Sequence, residues 1–177
     1  ILDSAAAILR HKGLAGAKLS DIAEGAGMLA PSIYHHFGSK DLLVEKVMME
    51  GIYHNSHYIV ARVEVLGPDA APLVRLRAAI VAHIDFLLSG DDYSSAVARV
   101  FEDLPDEMRK RVLAAYSSFD NYWRDLIEAA QADGSASSAL DPTVVRKFLI
   151  AKLDSCSSWY KPGKLGPSQV AEQAADP

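Results

Sequence analysis

The sequence predicts an all-α protein, with a three-helix N-terminal domain over residues 1–46 and a larger helical body over residues 47–177. Three observations carry this. Apolar residues return every three or four positions through most of the chain, the spacing that lines one face of a helix. No stretch alternates apolar and polar residues as a half-buried strand would. Glycine, proline and short polar runs punctuate the periodic stretches at helix-length intervals.

Leu2, Ala5, Ala6 and Leu9 form the inner stripe of a first helix that ends near Gly13. Leu19, Ile22, Ala23 and Ala26 give a short second helix, with Ala23 small enough for a close crossing. Gly25-Ala26-Gly27 breaks that run, because glycine takes the positive φ that a sharp turn between helices requires. A third helix follows from Leu29 to Phe37, with Pro31 in its first turn, where a missing N–H costs little. Ser39 is the expected N-cap of the fourth helix, and Asp41 in its first turn suits the helix dipole. Val44, Met48, Ile52, Ile59, Val63 and Leu66 carry the fourth helix to a stop at Gly67-Pro68. No glycine- or serine-rich linker interrupts it, so this long helix couples the two halves.

Pro72 opens a fifth helix, with Leu73, Ile80, Ile84 and Leu87 inward, and Ser89-Gly90 closes it. A short sixth runs from Tyr93 to Phe101. Pro105, Asp106 and Glu107 start a seventh. Its positions Met108, Val112, Tyr116, Phe119, Trp123, Leu126 and Ala130 predict one continuous helix. Residues 134–139 read as a loop. Asp141-Pro142 launches an eighth helix through Val145, Leu149, Leu153, Cys156 and Tyr160, ended by Pro162-Gly163. Residues 168–174 form a short ninth.

Composition excludes several function classes. Half the residues are hydrophobic, enough for a substantial core. No apolar run approaches the ~20 residues needed to cross a bilayer, and nothing resembles a signal peptide. The single cysteine, Cys156, excludes an intrachain disulfide and suits a reducing cytoplasm. His54 and His57 sit one helical turn apart without an adjacent carboxylate or thiol, so neither a metal nor a cofactor is expected. There is no nucleophile elbow, no phosphate-cradling glycine loop and no carboxylate pair beside a histidine, which argues against an enzyme.

Two short helices joined by a glycine turn, with a third element following at once, make the layout of a helix-turn-helix, whose second helix enters the DNA major groove. The runs Asp21-Ile22-Ala23, Ala26-Gly27, Ile33-Tyr34-His35-His36-Phe37 and Ser39-Lys40-Asp41-Leu42-Leu43 together resemble the signature of the tetracycline-repressor (TetR) family of one-component transcriptional regulators. The likeness is close over about the first fifty residues and is one of organisation and length beyond them.

By motif position, the resemblance implies that Ala30, Pro31 and Ser32 lie near base edges, while Tyr34, His35 and Lys40 hold phosphates. A Tyr hydroxyl and a Lys ammonium suit phosphates. Ala or Pro can touch a thymine methyl but offers no hydrogen bond. Ile33 and Phe37 are core, and His36 packs or caps. Family members usually carry Ser or Thr where Ala17-Lys18 and Leu29 stand here, and losing each such cap costs on the order of 1 kcal/mol. Ser20 is then expected to cap a shortened second helix, and Lys18 to add a phosphate contact.

The charge balance runs the other way. The chain carries −5, and residues 1–50 hold five basic residues against six acidic ones. A reader of this kind binds only if its few cations face the phosphates and its acids face away. The chain opens at Ile1 inside a helix without an initiator Met, and a basic arm ahead of Ile1 is expected.

For the larger half the resemblance implies a small-molecule pocket. Its candidate lining is Tyr53, His54, His57, His83, Phe86, Phe101, Tyr116, Phe119, Tyr122 and Trp123. Plain core packing is the competing reading for each. The surplus of polar-tipped aromatics on inward faces favours a pocket, since such side chains fill a dry core badly. The tail Trp159-Tyr160-Lys161-Pro162-Gly163 resembles that of actinobacterial members that respond to lipid-derived or acyl-CoA ligands. The resemblance further implies a homodimer on a palindromic DNA operator, paired through the eighth and ninth helices with Phe148, Leu149, Lys152 and Trp159 as contacts. The expectation is a cytoplasmic repressor released by a small hydrophobic or acyl-CoA-like effector. The alternative is a helical adaptor with a vestigial helix-turn-helix.

Overall fold

The computed structural model describes residues 1–161 and 163–175, and every regular element among them is helical. Pro162, one half of the stop expected for the eighth helix, lies outside the described residues. In chain order the first helices are α1 (Leu2–Gly16), α2 (Leu19–Gly25), α3 (Ala30–Phe37), α4 (Lys40–Glu64), α5 (Pro72–Leu88) and α6 (Asp92–Val100). A 3₁₀ turn (Phe101–Asp103) leads to α7 (Asp106–Ala115), α8 (Ser117–Ala132), α9 (Pro142–Asp154), α10 (Cys156–Trp159) and α11 (Pro167–Ala175). The chain divides into two compact units, Ile1–His54 with Gly90–Tyr116, and Asn55–Ser89 with Ser117–Pro177.

Unit 1 is built on an aliphatic core. Ala5, Ala6 and Leu9 of α1, Ile22 and Ala23 of α2, Ile33 of α3 and Leu43, Val44, Val47 and Met48 of α4 are all buried in one cluster. Each large aliphatic buried this way contributes roughly 1.5–3 kcal/mol. The regular part of α1 ends at Gly13, whose φ of 67° and ψ of −179° interrupt the helix. The turn after α2 closes as expected of glycine. Gly27 has a φ of 65°, its N–H donates to the Glu24 carbonyl, and the Met28 N–H donates to the Ala23 carbonyl. That pair of bonds satisfies carbonyls the helix end would otherwise leave bare.

Gly25 has a different reason to be glycine. A Cβ there would stand 2.4 Å from Ser4 Oγ, which donates to the Ile22 carbonyl at 2.8 Å. Ser39 caps α4, its Oγ accepting from the Leu42 N–H at 3.1 Å. Gly51, buried inside α4, lets α6 come close, since a Cβ would meet Val97 Cγ2 at 2.7 Å and the Tyr93 carbonyl at 3.1 Å.

Unit 2 is organised around α5, which packs against α8, α9, α10 and α11. Its interior is more aromatic, combining Ile59, Val63, Ile84, Leu126 and Ile127 with Phe86, Phe119, Trp123 and His83. Asp141 caps α9, accepting from the N–H groups of Thr143 and Val144 at 2.9 and 3.0 Å.

Four local expectations change. Leu73, expected inward on α5, is exposed, because it lies in the first turn of the helix, one turn ahead of the first buried position, Leu76. The predicted seventh helix is two, because at Tyr116 the N–H bonds back to the Leu113 carbonyl and the i→i−4 ladder is lost. Ser117-Ser118 follow directly, and serines favour such interruptions. The eighth helix also breaks, at Ser155. There the hydroxyls of Ser155, Ser157 and Ser158 donate to the carbonyls of Lys152, Asp154 and Ser155, competing with the ladder. Ser20 does not cap α2. The N-cap is Lys18, without a side-chain bond, and the Ser20 hydroxyl donates to Asp21 Oδ1.

Candidate nucleic-acid interface and effector pocket

The helix-turn-helix presents one edge of α3 to solvent. Ile33 anchors it in the core, whereas Pro31, Tyr34, His35 and His36 are exposed, and Ala30 and Ser32 are half-buried. Tyr34 is 56% exposed, and Leu29, the N-cap of α3, is 76% exposed with no side-chain cap bond. The reading edge therefore stands clear of the fold, on a helix held from behind.

Most cations of this region are engaged. Arg10 pairs with Asp92 at 2.6 Å, Lys12 with Asp21 at 2.6 Å and Lys46 with Glu50 at 2.8 Å. Lys40 Nζ donates to the Leu14 carbonyl at 2.8 Å, tying the start of α4 to the end of α1. An ammonium has three donors, so this bond leaves Lys40 capacity for a phosphate. Lys18 is exposed beside Ser20. The Lys12 ammonium holds the Asp21 carboxyl below its ordinary range, and Lys18 adds to the effect. Unit 1 is braced by two further polar contacts that sequence spacing does not announce. Arg111 forks both oxygens of Glu45 at 2.7 Å, holding that carboxyl below the usual glutamate range. The Tyr93 hydroxyl donates to Asp3 at 2.7 Å, and its pKa is pushed up by burial and by that carboxylate.

The candidate effector residues fall in both units. In unit 2, His83 (2% exposed) and Trp123 (0%) meet edge to face at 5.7 Å between ring centroids, and Phe119 meets Trp123 at 6.1 Å. Phe86, buried, lies 5.4 Å from the Tyr58 ring. In unit 1, Phe101 and Tyr116 pack against the aliphatic core, while Tyr53 is exposed. His57 is exposed, and His54 meets Tyr93 edge to face at 4.8 Å.

The polar tips of this set differ between the two units. Among the described residues, Trp123 Nε1, His83 Nδ1, the Tyr122 hydroxyl and Asn55 Oδ1 are buried without a hydrogen-bond partner, and all four belong to unit 2. His83 Nε2 faces Asp154 Oδ1 at 2.9 Å, so in the neutral ring Nε2 donates and Nδ1 is left as an acceptor. Burial pushes the Tyr122 pKa up, with Glu64 adding to it. A buried polar atom without a partner costs ~1–3 kcal/mol, so four in one unit ask for a ligand group or water. Asn55 was not among the residues named from sequence. A lone amide in a long helix carries no local sign of being buried.

Beside this set, an open groove of about 280 Å³ runs between α4, α5 and α11, floored by Leu66, Val74, Ala78, Val81 and Ala82. Arg62 lies 4.8 Å over the Tyr58 ring, Tyr58 donates to Asp85 at 2.9 Å, and Arg77 pairs with Glu172 at 2.6 Å. None of the ring residues named from sequence is in its lining.

Of the residues expected at a dimer contact, Phe148 is 76% and Trp159 54% exposed, Lys152 is exposed and Leu149 half-buried. Val144 and Phe148 stand one turn apart on α9, both open. Among the described residues no group of three His, Cys, Asp or Glu side chains is placed to hold a metal, and no helix is long and apolar enough to cross a membrane.

Residues 1–47 match the family model of bacterial regulatory proteins of the tetR family, and residues 69–177 match that of the tetracyclin repressor-like C-terminal domain. The transcriptional repressor KstR2 of Rhodococcus jostii is 28% identical over 171 residues, covering 92% of this chain and 79% of that protein. KstR2 of Mycobacterium tuberculosis, solved as a ketosteroid transcriptional regulator, superposes with a TM-score of 0.75 at 26% identity, covering 98% and 88% of the two chains. AibR, solved with isovaleryl coenzyme A and operator DNA, shares the fold with a TM-score of 0.85 at 24% identity, over 98% and 93% of the two chains. With both its helix-turn-helix and its larger helical portion matched, the chain belongs to the TetR family of transcriptional regulators and is not an enzyme.

Proposed function

We propose that the protein is a cytoplasmic repressor that binds a palindromic operator as a homodimer and is released by a small hydrophobic or acyl-CoA-like effector. The observation that carries this reading is the exposed edge of α3, from Leu29 through Pro31 to Tyr34 and His35, held on a fully packed three-helix base. Ala30, Pro31 and Ser32 face bases, and Lys18, Tyr34, His35 and Lys40 contact the backbone. Ser20, exposed on α2, is assigned to the edge of that surface.

Effector binding is supported by the four buried, unpartnered polar atoms of unit 2, which suit an apolar ligand carrying a few oxygens. Such a ligand fits the ketosteroid and acyl-CoA chemistry named for the two solved relatives. His57, His83, Phe86, Phe119, Tyr122 and Trp123 of unit 2 are the candidate lining, while Tyr53, Phe101 and Tyr116, expected with them from sequence, belong to unit 1. Pairing through α9 and α11 covers Phe148, Leu149, Lys152 and Trp159, whose apolar area otherwise stays open to water. A single reading helix spans too few base pairs for a genomic address, so two copies set one turn or more apart are required. Ligand binding shifts α4, the helix common to both units, and so changes the spacing of the two reading helices.

The test is a gel shift of the full-length protein on its own upstream DNA across a salt series, together with a thermal-shift screen of acyl-CoA thioesters and sterol-like ketones. Salt-dependent, sequence-specific retention lost on adding a stabilising compound supports the repressor. Because most cations near α3 are already engaged, the adaptor reading remains the alternative, and absence of retention at low salt supports it.

A further inference from the structure

We infer that the tip of α3 reads its operator through thymine methyl groups, with Leu29 as the specificity-determining side chain. This rests on the DNA-binding reading above. Leu29 is a large apolar residue at the N-cap of the reading helix, exposed, and without the side-chain oxygen that would cap the helix. The two residues after it, Ala30 and Pro31, also carry no polar side-chain atom.

Two backbone donors of the first turn are also lost. Pro31 has no N–H, and the Ser32 N–H is used by the Leu29 carbonyl at 2.9 Å. The first turn therefore offers little to a phosphate, although helix starts commonly bind one. The sequence of α3, APSIYHHF, contains no Arg, Lys, Asn or Gln, the side chains that pair bidentately with guanine or adenine. In the major groove the apolar feature of a base edge is the 5-methyl group of thymine. An apolar knob on a donor-poor tip discriminates by covering that methyl, and it rejects cytosine, which presents an amine donor and no methyl.

The experiment selects binding sites from a random duplex library with the full-length protein. Each thymine of the best duplex is then replaced singly by deoxyuridine, and affinity is read by fluorescence anisotropy. Deoxyuridine removes the methyl and leaves every hydrogen-bonding group of the base pair in place. At one or two positions in each half-site, affinity is expected to fall about fourfold per methyl lost. In the Leu29→Ala variant the thymine and deoxyuridine duplexes are expected to bind alike at those positions. Its melting temperature serves as the fold control, since Leu29 is outside the core.

Three results overturn the inference. The selected duplex tolerates deoxyuridine throughout, or Leu29→Ala keeps the thymine preference, or no sequence is enriched. The first two leave DNA binding intact and remove only the methyl reading. The third removes the DNA-binding reading as well, leaving the tip as a contact for another protein.

Discussion

In unit 1, Tyr93 is buried and its hydroxyl donates a hydrogen bond to Asp3, the Ser4 hydroxyl donates one to the Ile22 carbonyl, and Arg111 forks Glu45. In unit 2, Trp123, Tyr122, His83 and Asn55 bury polar atoms that meet no partner among the described residues. Among the described residues of unit 1, Arg109 Nε is such an atom, and its neighbouring nitrogen still reaches the Leu104 carbonyl at 3.0 Å. The contrast separates a part whose buried polar side chains are mostly paired from a part where several are not, which is what the proposed effector site calls for. A reading head must hold the same geometry in every state, so its polar groups are settled internally. A sensor must be stabilised when its ligand arrives, and unpaired polar atoms in a largely apolar interior supply that margin.

The hardest blow to this comparison is struck in the core of unit 1. Ile33→Ala removes the side chain that anchors α3, at 1% exposure, and is expected to cost ~2–5 kcal/mol in denaturant unfolding. DNA affinity should fall with it. If stability is unchanged, unit 1 is not the settled part. Gly51→Ala comes next. Its added Cβ would meet the Tyr93 carbonyl, which cannot move without its helix, so a loss of ~1–3 kcal/mol is expected. Thermal melting of the purified variant checks it.

These two sites also mark what the sequence discloses. Ile33 belongs to the local pattern of apolar spacing, glycine turn and cap, all within a few residues of one another, and the helix-turn-helix is legible from it. Gly51 is not legible, because its reason is an α6 residue more than forty positions away, and only the folded crossing brings Val97 against it. The same holds for Asp3 with Tyr93 and for Glu45 with Arg111. The break at Tyr116 hid for another reason: Tyr116, Phe119 and Trp123 keep the apolar period across it, while the signal that mattered was Ser117-Ser118. For the candidate pocket, sequence named aromatic and histidine residues but could not say which unit each would join. Phe101 and Tyr116 went to the aliphatic core of unit 1, and His83, Phe119 and Trp123 to the interior of unit 2.

Tyr93→Phe sharpens the comparison from the polar side. It deletes a bond to a carboxylate and is expected to cost about 1 kcal/mol, since Asp3 is exposed and rehydrates. Arg111→Ala should cost less than Tyr93→Phe, because Arg111 is exposed and solvent screens the pair. Its signature is the pH dependence. Glu45 is depressed below its ordinary value of 4.5 in the folded protein, so the stability it contributes is present above that value. It is lost as pH falls through the lowered folded-state pKa. Unfolding curves of the two proteins should therefore differ at neutral pH and converge in acid. A difference that persists at low pH would mean that Arg111 acts through packing.

Trp123→Phe should give the smallest change in stability and is the most informative of the set. The substitution removes a buried N–H that has no partner, which relieves a desolvation cost, and it also removes part of a ring, which opens space. The two effects oppose each other. The ligand-free protein is expected to stay within ~1 kcal/mol of the parent, although Trp123 is wholly buried. The effector response should not be spared. A compound that raises the melting temperature of the parent does so by binding the folded state, and losing a donor to its oxygen should shrink that rise. If instead the variant melts well below Tyr93→Phe and responds to the same compound as the parent does, Trp123 is ordinary core. Unit 2 would then be as self-sufficient as unit 1.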